Sequence, residues 1–385
     1  MEPLQTQKEE IDTILNKIYN AWNSYLFKYK FCFSKLNSGD DLKTNYFGDL
    51  MGYFTDTLEI VFDSTPPKAR NYTEMFTFNI SFLQAIYVQQ DFLEELLLIF
   101  KTGVSKGELK KDINYYVNRD LRNELIGHPI RKLGNKLISS TLFSYDASEG
   151  EIQYARYHRD NNFRFEVKSF DVLDIRARHY ELVRHYLNLI AKKIESIVTL
   201  YSRRLNQLLS IINKVDFIQT LDFCSQLFED FFNQEFCFEY EVIKKIYEKR
   251  EAHFRYQHVI DRFLSRLFED IQEVQNDIEK FCNPRPITKS LDQNIPIELW
   301  VSELSVPFHN KTDIKKKRSY SYELSKLYTS KNEQFNFFAR ILREDFKNHK
   351  EILNEILHME FNLGDNFEYY SALKYLSFKI SENQK

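Results

Sequence analysis

The 385-residue chain has little that breaks a helix, with only 9 glycines and 8 prolines. Eight of the nine glycines precede residue 151 and no proline falls between Pro129 and Pro284, so the middle of the chain reads as nearly uninterrupted helix. Cysteine is scarce as well. Cys32, Cys224, Cys237 and Cys282 lie far apart or within apolar helical stretches, which excludes a short-spaced zinc site or disulfide framework and fits buried thiols in a reducing compartment. No apolar run reaches membrane length, and even Phe92 to Phe100 is broken by Glu94 and Glu95. Met1-Glu2-Pro3-Leu4-Gln5 lacks the basic region and apolar run of a secretory signal, so a cytoplasmic location without a membrane partner is expected. A formal net charge of −3 excludes a globally basic nucleic-acid binder and leaves only a local patch for RNA.

Aromatic rings are abundant instead: 34 Phe and 24 Tyr. They recur at helical spacing, which suits helix packing through large buried contacts. Ile11, Ile14, Leu15, Ile18, Tyr19, Trp22, Tyr25, Leu26 and Tyr29 form one stripe of a first helix. A second helix is expected through Leu50 to Phe62 and a third, apolar on several sides, through residues 71–100. Ser105-Lys106-Gly107-Glu108 reads as a capping box opening a fourth. Alternation over residues 137–145, 151–158 and 163–168 predicts three short antiparallel strands, and a fifth helix runs from about Asp171 to Tyr201. The expected fold class is therefore all-α in the main: a helical domain over residues 1–201 with a small β-sheet at about 137–168, then a C-terminal helical domain over 202–385. An irregular connector at about 283–318 ends in Lys315-Lys316-Lys317-Arg318, a charged loop, with two or three helices beyond it.

The most informative stretch is Asn118-Arg119-Asp120-Leu121-Arg122-Asn123-Glu124-Leu125-Ile126-Gly127-His128-Pro129. It puts an arginine, an amide and a histidine at an abrupt helix end. An imidazole can move protons near neutral pH, and a guanidinium offers a fixed fork of donors to a phosphate that gains charge under attack by a 2′-hydroxyl. Such an arginine–histidine spacing should arise by chance roughly once or twice in a chain of this composition. Arg178/His185 and Arg343/His349 fall in stretches that read as continuous helix, where seven or six residues would rotate the side chains by about 340° or 240°. Only at Arg122 does the sequence predict an interruption. There Gly127 can take the left-handed conformation and Pro129 cannot continue a helix, so the turn can fold His128 back toward Arg122.

These residues resemble the HEPN superfamily of all-helical bundles. Its active members are metal-independent endoribonucleases with an arginine, a polar residue after it, and a histidine four to six residues beyond the arginine. Arg122, Asn123 and His128 fit that pattern. Gln84-Ala85-Ile86-Tyr87-Val88-Gln89-Gln90-Asp91 looks like the preceding helix of bacterial HEPN-like proteins whose arginine-asparagine segment ends in Ile-Gly-His-Pro. The resemblance covers about residues 6–200. It implies an RNA substrate, no cofactor and no metal, with His128 as general acid or base, Arg122 stabilising the phosphorane and Asn123 orienting the phosphate. It also implies a homodimer, built partly through the 71–128 helices, and by analogy a role in phage defence or a toxin-like stress response with an unidentified trigger or regulatory partner. Ile130 stands where toxins silenced by a partner nucleotidyltransferase carry a tyrosine, so control by modification there is not expected.

Arg119, Arg131 and Lys132 would surround the motif with the positive charge that an RNA backbone needs. Gln89, Gln90 and Asp91 interrupt an apolar helix and are expected either to brace the Arg122 segment or a partner subunit, or to face solvent. A different class of reading stays open. His128 then caps the helix, Arg122 pairs with Asp120 or Glu124, and the chain is a catalytically silent helical dimerisation or interaction protein. Arg122 and His128 about 4 to 6 Å apart in an open cleft would favour the enzyme; a His128 buried against aromatics would not.

Overall fold

A computed structural model describes residues 3–37, 42, 44–67, 71–142, 150–212, 214–231, 240–283, 319–329 and 331–384. Cys237, the 284–318 part of the connector and its Lys315–Arg318 run lie outside the described residues. The chain forms two compact units, residues 1–204 with 227–234, and residues 205–226 with 235–385. Helix predominates in both, and the single sheet among the described residues belongs to the first.

In the first unit α1 (Leu4–Ala21) leads through a π turn (Trp22–Leu26) to the short α2 (Lys30–Phe33). The apolar stripe continues through that widened turn because its rings are what the core needs. Trp22 stacks on Phe47 of α3 (Thr44–Phe62) with centroids 4.0 Å apart, and Phe100 meets both rings edge-on. The long helix α4 (Tyr72–Ile99) starts where the Asn71 side chain accepts the Glu74 N–H, and it ends at Lys101 and Gly103, both at positive φ. Its buried residues fall on several sides, as expected of a central helix.

The Ser105/Glu108 pair closes a 3-10 turn (Glu108–Lys111), with the Ser105 N–H donating to the Glu108 carboxylate at 2.9 Å. The helix it was expected to open starts later. Asp112 caps α5 (Ile113–Arg122) by accepting the Asn114 N–H at 2.8 Å. Four strands follow rather than three: β1 (Ile130–Leu133), β2 (Lys136–Leu142), β3 (Glu151–His158) and β4 (Phe165–Asp171), antiparallel in chain order. The additional β1 pairs with β2 around the two-residue turn Gly134-Asn135, in which Gly134 has a φ of +60°. Helix α6 (Val172–Ile212) is longer than expected.

The second unit contains α8 (Tyr240–Glu248), α9 (Phe254–Cys282), α10 (Ser321–Thr329), α11 (Lys331–Asp345), α12 (Lys350–Phe361) and α13 (Asn366–Gln384), preceded by α7 (Phe217–Phe231). Beyond the connector four helices are described: α11 ends at Asp345, so Arg343 and His349 do not share the continuous helix expected of them, and Asp365 caps the start of α13 by accepting the Phe367 N–H. Leu342, Ile356, Met359 and Leu376 centre one core cluster, and Leu221, Ile246, Tyr256 and Ile260 another. Glu368 ties three elements together by accepting from Lys249, Tyr256 and His358 at 2.6 to 2.9 Å. Burial pushes its carboxyl up, yet those three donors outweigh burial and hold it at about 2. Among the described residues no helix is long and apolar enough to cross a membrane.

Candidate functional site

Helix α5 does not end on a left-handed glycine. Its last turn widens into a π turn (Asn123–Gly127), closed by the His128 N–H donating to the Asn123 carbonyl at 2.7 Å. Gly127 has no positive φ, and its lack of a side chain matters for space: a Cβ there would sit 2.8 Å from Arg122 Nη1. The arginine therefore folds over the residue that precedes His128.

Arg122 is held on three sides. Its Nε and Nη2 both donate to Gln84 Oε1, at 3.1 and 2.9 Å, Nη1 donates to Asn123 Oδ1 at 3.2 Å, and the guanidinium lies 3.8 Å from the Tyr87 ring centre. Neither Asp120 nor Glu124 is its partner. His128 is exposed, and its imidazole makes no hydrogen bond or ion pair with any described residue. The structure thus brings Arg122 and Asn123 together and leaves the third member of the motif in solvent.

The surrounding charges are not a free basic patch. Arg119 pairs with Asp91 at 2.7 Å and lies 3.6 Å from the Tyr87 ring centre, while Arg131 donates to Glu124 at 3.1 Å; of the three, only Lys132 is exposed without a partner among the described residues. Of the three polar residues of α4, Asp91 braces α5 through Arg119 and Gln90 braces it by donating to the Tyr115 carbonyl at 3.1 Å. Gln89 points elsewhere. It donates to Thr57 Oγ1 at 2.8 Å and lies 2.7 Å from His179 Nε2 of α6.

Glu124 is the residue that sequence reasoning passed over. Ser140, Tyr154 and Arg131 donate to its carboxylate at 3.0, 2.9 and 3.1 Å, and Arg156 Nε is 3.1 Å away. Strand register puts all four on one face of the sheet, with Arg131 opposite Ile138 and Ser140 opposite Arg156. Burial pushes the Glu124 carboxyl up, but the Tyr154 and Ser140 hydroxyls and the two arginines overcome it and hold the group below its ordinary range. One carboxylate at the end of α5 thereby pins three strands.

Beside Gln84, a groove of about 420 Å³ runs between α3 and α4, lined by Tyr53, Thr57, Phe76, Ile80 and Val88 among others. Among the described residues no charged side chain lines it, so the lining suits an apolar group and not a phosphate. Among the described residues, no three His, Cys, Asp or Glu side chains group as metal ligands.

Comparison with protein-family models, curated proteins and solved structures gives no match. The identities that the resemblance suggested, namely HEPN protein, ribonuclease or other nuclease, toxin and antiviral-defence protein, are corrected accordingly: no relative carries any of them to this chain.

The packing around Gly127 makes a direct test of what Arg122 does for the fold. Gly127→Ala is expected to cost about 1–3 kcal/mol, because the new methyl must push Arg122 Nη1 away from its Asn123 acceptor, whereas His128→Ala should change stability by less than about 0.5 kcal/mol. Urea denaturation of the two variants checks both values.

Proposed function

We propose that the first unit is a helical interaction module whose contact surface is the outer face of its sheet. The carrying observation is an inverted pattern in β4. Phe165 and Val167 face outward, 59% and 72% exposed, while Glu166 and Lys168 share the inner face with buried Tyr154, and only Phe170 near the strand's end turns an apolar ring inward, onto Tyr154. A strand placed only to cover a core would have the opposite phase.

The same face collects Ile130, 78% exposed, and Leu137, 59% exposed. At the β3–β4 turn Phe163 adds a ring that is 62% exposed and lies at a φ of +58°, a conformation that bulky side chains rarely adopt. Tyr157 meets both Phe163 and Phe165, at 6.3 and 5.7 Å between centroids, so the rings form a patch and are not isolated. Glu124 supports this reading from the other side, since it fixes the sheet against the helix end and presents the patch on a rigid base. The partners of Arg122, Arg119 and Arg131 support it too, because their donors are turned inward and not toward a phosphate.

Phe165→p-benzoylphenylalanine tests the surface directly. Irradiation in cells should give a covalent protein adduct at position 165 and none at position 49, an exposed position on α3. No adduct at 165 would remove the proposal. So would metal-independent cleavage of RNA by the purified chain that disappears in His128→Ala, which would return the function to the Arg122–His128 end of α5.

A further inference from the structure

Resting on that reading, we infer that the partner on this surface is a second copy of the chain, joined by antiparallel pairing of β4 with β4 about a two-fold axis at Val167. The sheet has two edges, and they differ. β1 is four residues long, preceded by Pro129 and followed by the Gly134-Asn135 turn, which makes it a short and protected edge. β4 is seven residues long, contains no proline, and among the described residues pairs only with β3. The open edge of a strand this long offers unpaired backbone groups to another strand, and Glu166 and Lys168, one charge of each sign, restrict which strand can pair there.

The side chains of β4 select both the partner and the register. A two-fold axis that joins outer face to outer face requires one residue to oppose its own copy. Centring on Glu166 opposes two carboxylates, and centring on Lys168 opposes two ammonium groups; each is unfavourable. Centring on Val167 puts Glu166 opposite Lys168 of the second copy, and Lys168 opposite its Glu166, forming two cross-strand pairs of opposite charge. Lys168 has no ion-pair partner among the described residues of its own chain, so it is available for this role. On the outer face Val167 meets its own copy and Phe165 lies opposite Ser169, so the two aromatic patches become one band. The inner face continues the alternation already present across the sheet, where Arg156 opposes Glu166.

Charge exchange on the full-length protein decides the matter. Light scattering of the unaltered chain at micromolar concentration should give twice the chain mass. Lys168→Glu and Glu166→Lys should each lower it to once the chain mass, and an equal mixture of the two should restore the doubled mass, because each variant carries what the other lacks. Glu166 also meets His158 at 3.2 Å, so Glu166→Lys could disturb its own unit. Circular-dichroism melting monitors that, and oxidised Val167→Cys supplies an independent readout: a disulfide-linked dimer is expected at position 167 and none with Ser169→Cys. A monomeric unaltered chain, or a dimer indifferent to Lys168→Glu, would overturn the inference. In that case an adduct at position 165 with a different protein would leave the interaction surface standing with another partner, and no adduct would remove both.

Discussion

Glu124→Ala is expected to destabilise the first unit by about 3–5 kcal/mol, the usual consequence of removing one partner from a buried charge cluster. The loss has two sources. Arg131 and Arg156 would be left facing each other without the carboxylate, and the Tyr154 and Ser140 hydroxyls would stay buried without their acceptor. Glu124→Gln keeps the shape and one acceptor oxygen, so about 2 kcal/mol is expected from the lost charge. The two units need not unfold together, so hydrogen exchange at the β2 and β3 amides is the appropriate readout. Because the folded carboxyl is depressed, its contribution is full above the ordinary carboxylate range and is lost as pH falls through the folded value. Glu124→Gln should therefore also flatten the acid side of the stability profile. A loss below about 1 kcal/mol in Glu124→Ala would mean that Ile138 and Ile152 alone hold the sheet in place.

The consequence for function is one of rigidity. A surface that must present Phe163, Phe165 and Val167 in a fixed arrangement needs a sheet that does not rock on the helices. Glu124 supplies that from below, and the paired strands supply it laterally. If Glu124→Ala loosens the sheet without unfolding the helices, adduct formation at position 165 should fall while helical content is retained.

How much of this was legible depended on the reach of each interaction. The helices α1, α3 and α4 follow from residues three and four apart, because burial of one stripe decides them and the stripe is local. Asn71 as the start of α4 is likewise local. β1 escaped because four residues are too few to show alternation, although Gly134-Asn135 carried a hairpin signal. The start of α5 was misplaced because Ser105 and Glu108 are a true pair that closes a different turn. Both π turns were invisible, since no residue pattern distinguishes a widened last turn from an ordinary one.

The site was legible only as a list of residues. Arg122, Asn123 and His128 stand where the sequence put them, but the direction of the Arg122 fork depends on Gln84, 38 residues earlier in the chain. Glu124 had no local sign of importance, because Ser140 and Tyr154 reach it only after the sheet has folded back. The phase of β4 was visible as alternation, yet alternation alone does not say which face is covered. The natural assumption puts the apolar face inward. Its outward placement is what turns a structural strand into a candidate surface.

Acidification should begin to weaken the first unit through one residue, His179, from about pH 6.5, above the range in which ordinary carboxylates are protonated. His179 is fully buried in α6, and burial alone brings its imidazole down from 6.5 to about 3. The hydrogen-bond network explains why the proton is unwelcome. The Gln89 amide donates to Thr57, so its oxygen is the group left to accept from His179, which assigns the hydrogen to Nε2 and leaves Nδ1 buried without a partner. Protonation would add a charge and an orphaned donor in the same place. With the folded value lower than the unfolded one, stability is full above about pH 6.5 and falls as pH drops toward 3, because only the unfolded chain binds the proton in that interval. The total is on the order of 5 kcal/mol, and the slope between pH 6 and 5 is about 1.2 kcal/mol per unit. Burial also depresses His253 and His258, but they belong to the second unit, so the measurement must follow first-unit amides by hydrogen exchange across pH 7 to 4.5. His179→Gln retains a donor toward Gln89 and removes the titration. It should be less stable than the unaltered chain at pH 7 by about 1–2 kcal/mol, yet lose almost nothing more down to pH 5. An acid profile in His179→Gln with the same slope as that of the unaltered chain would show that another group drives acid unfolding.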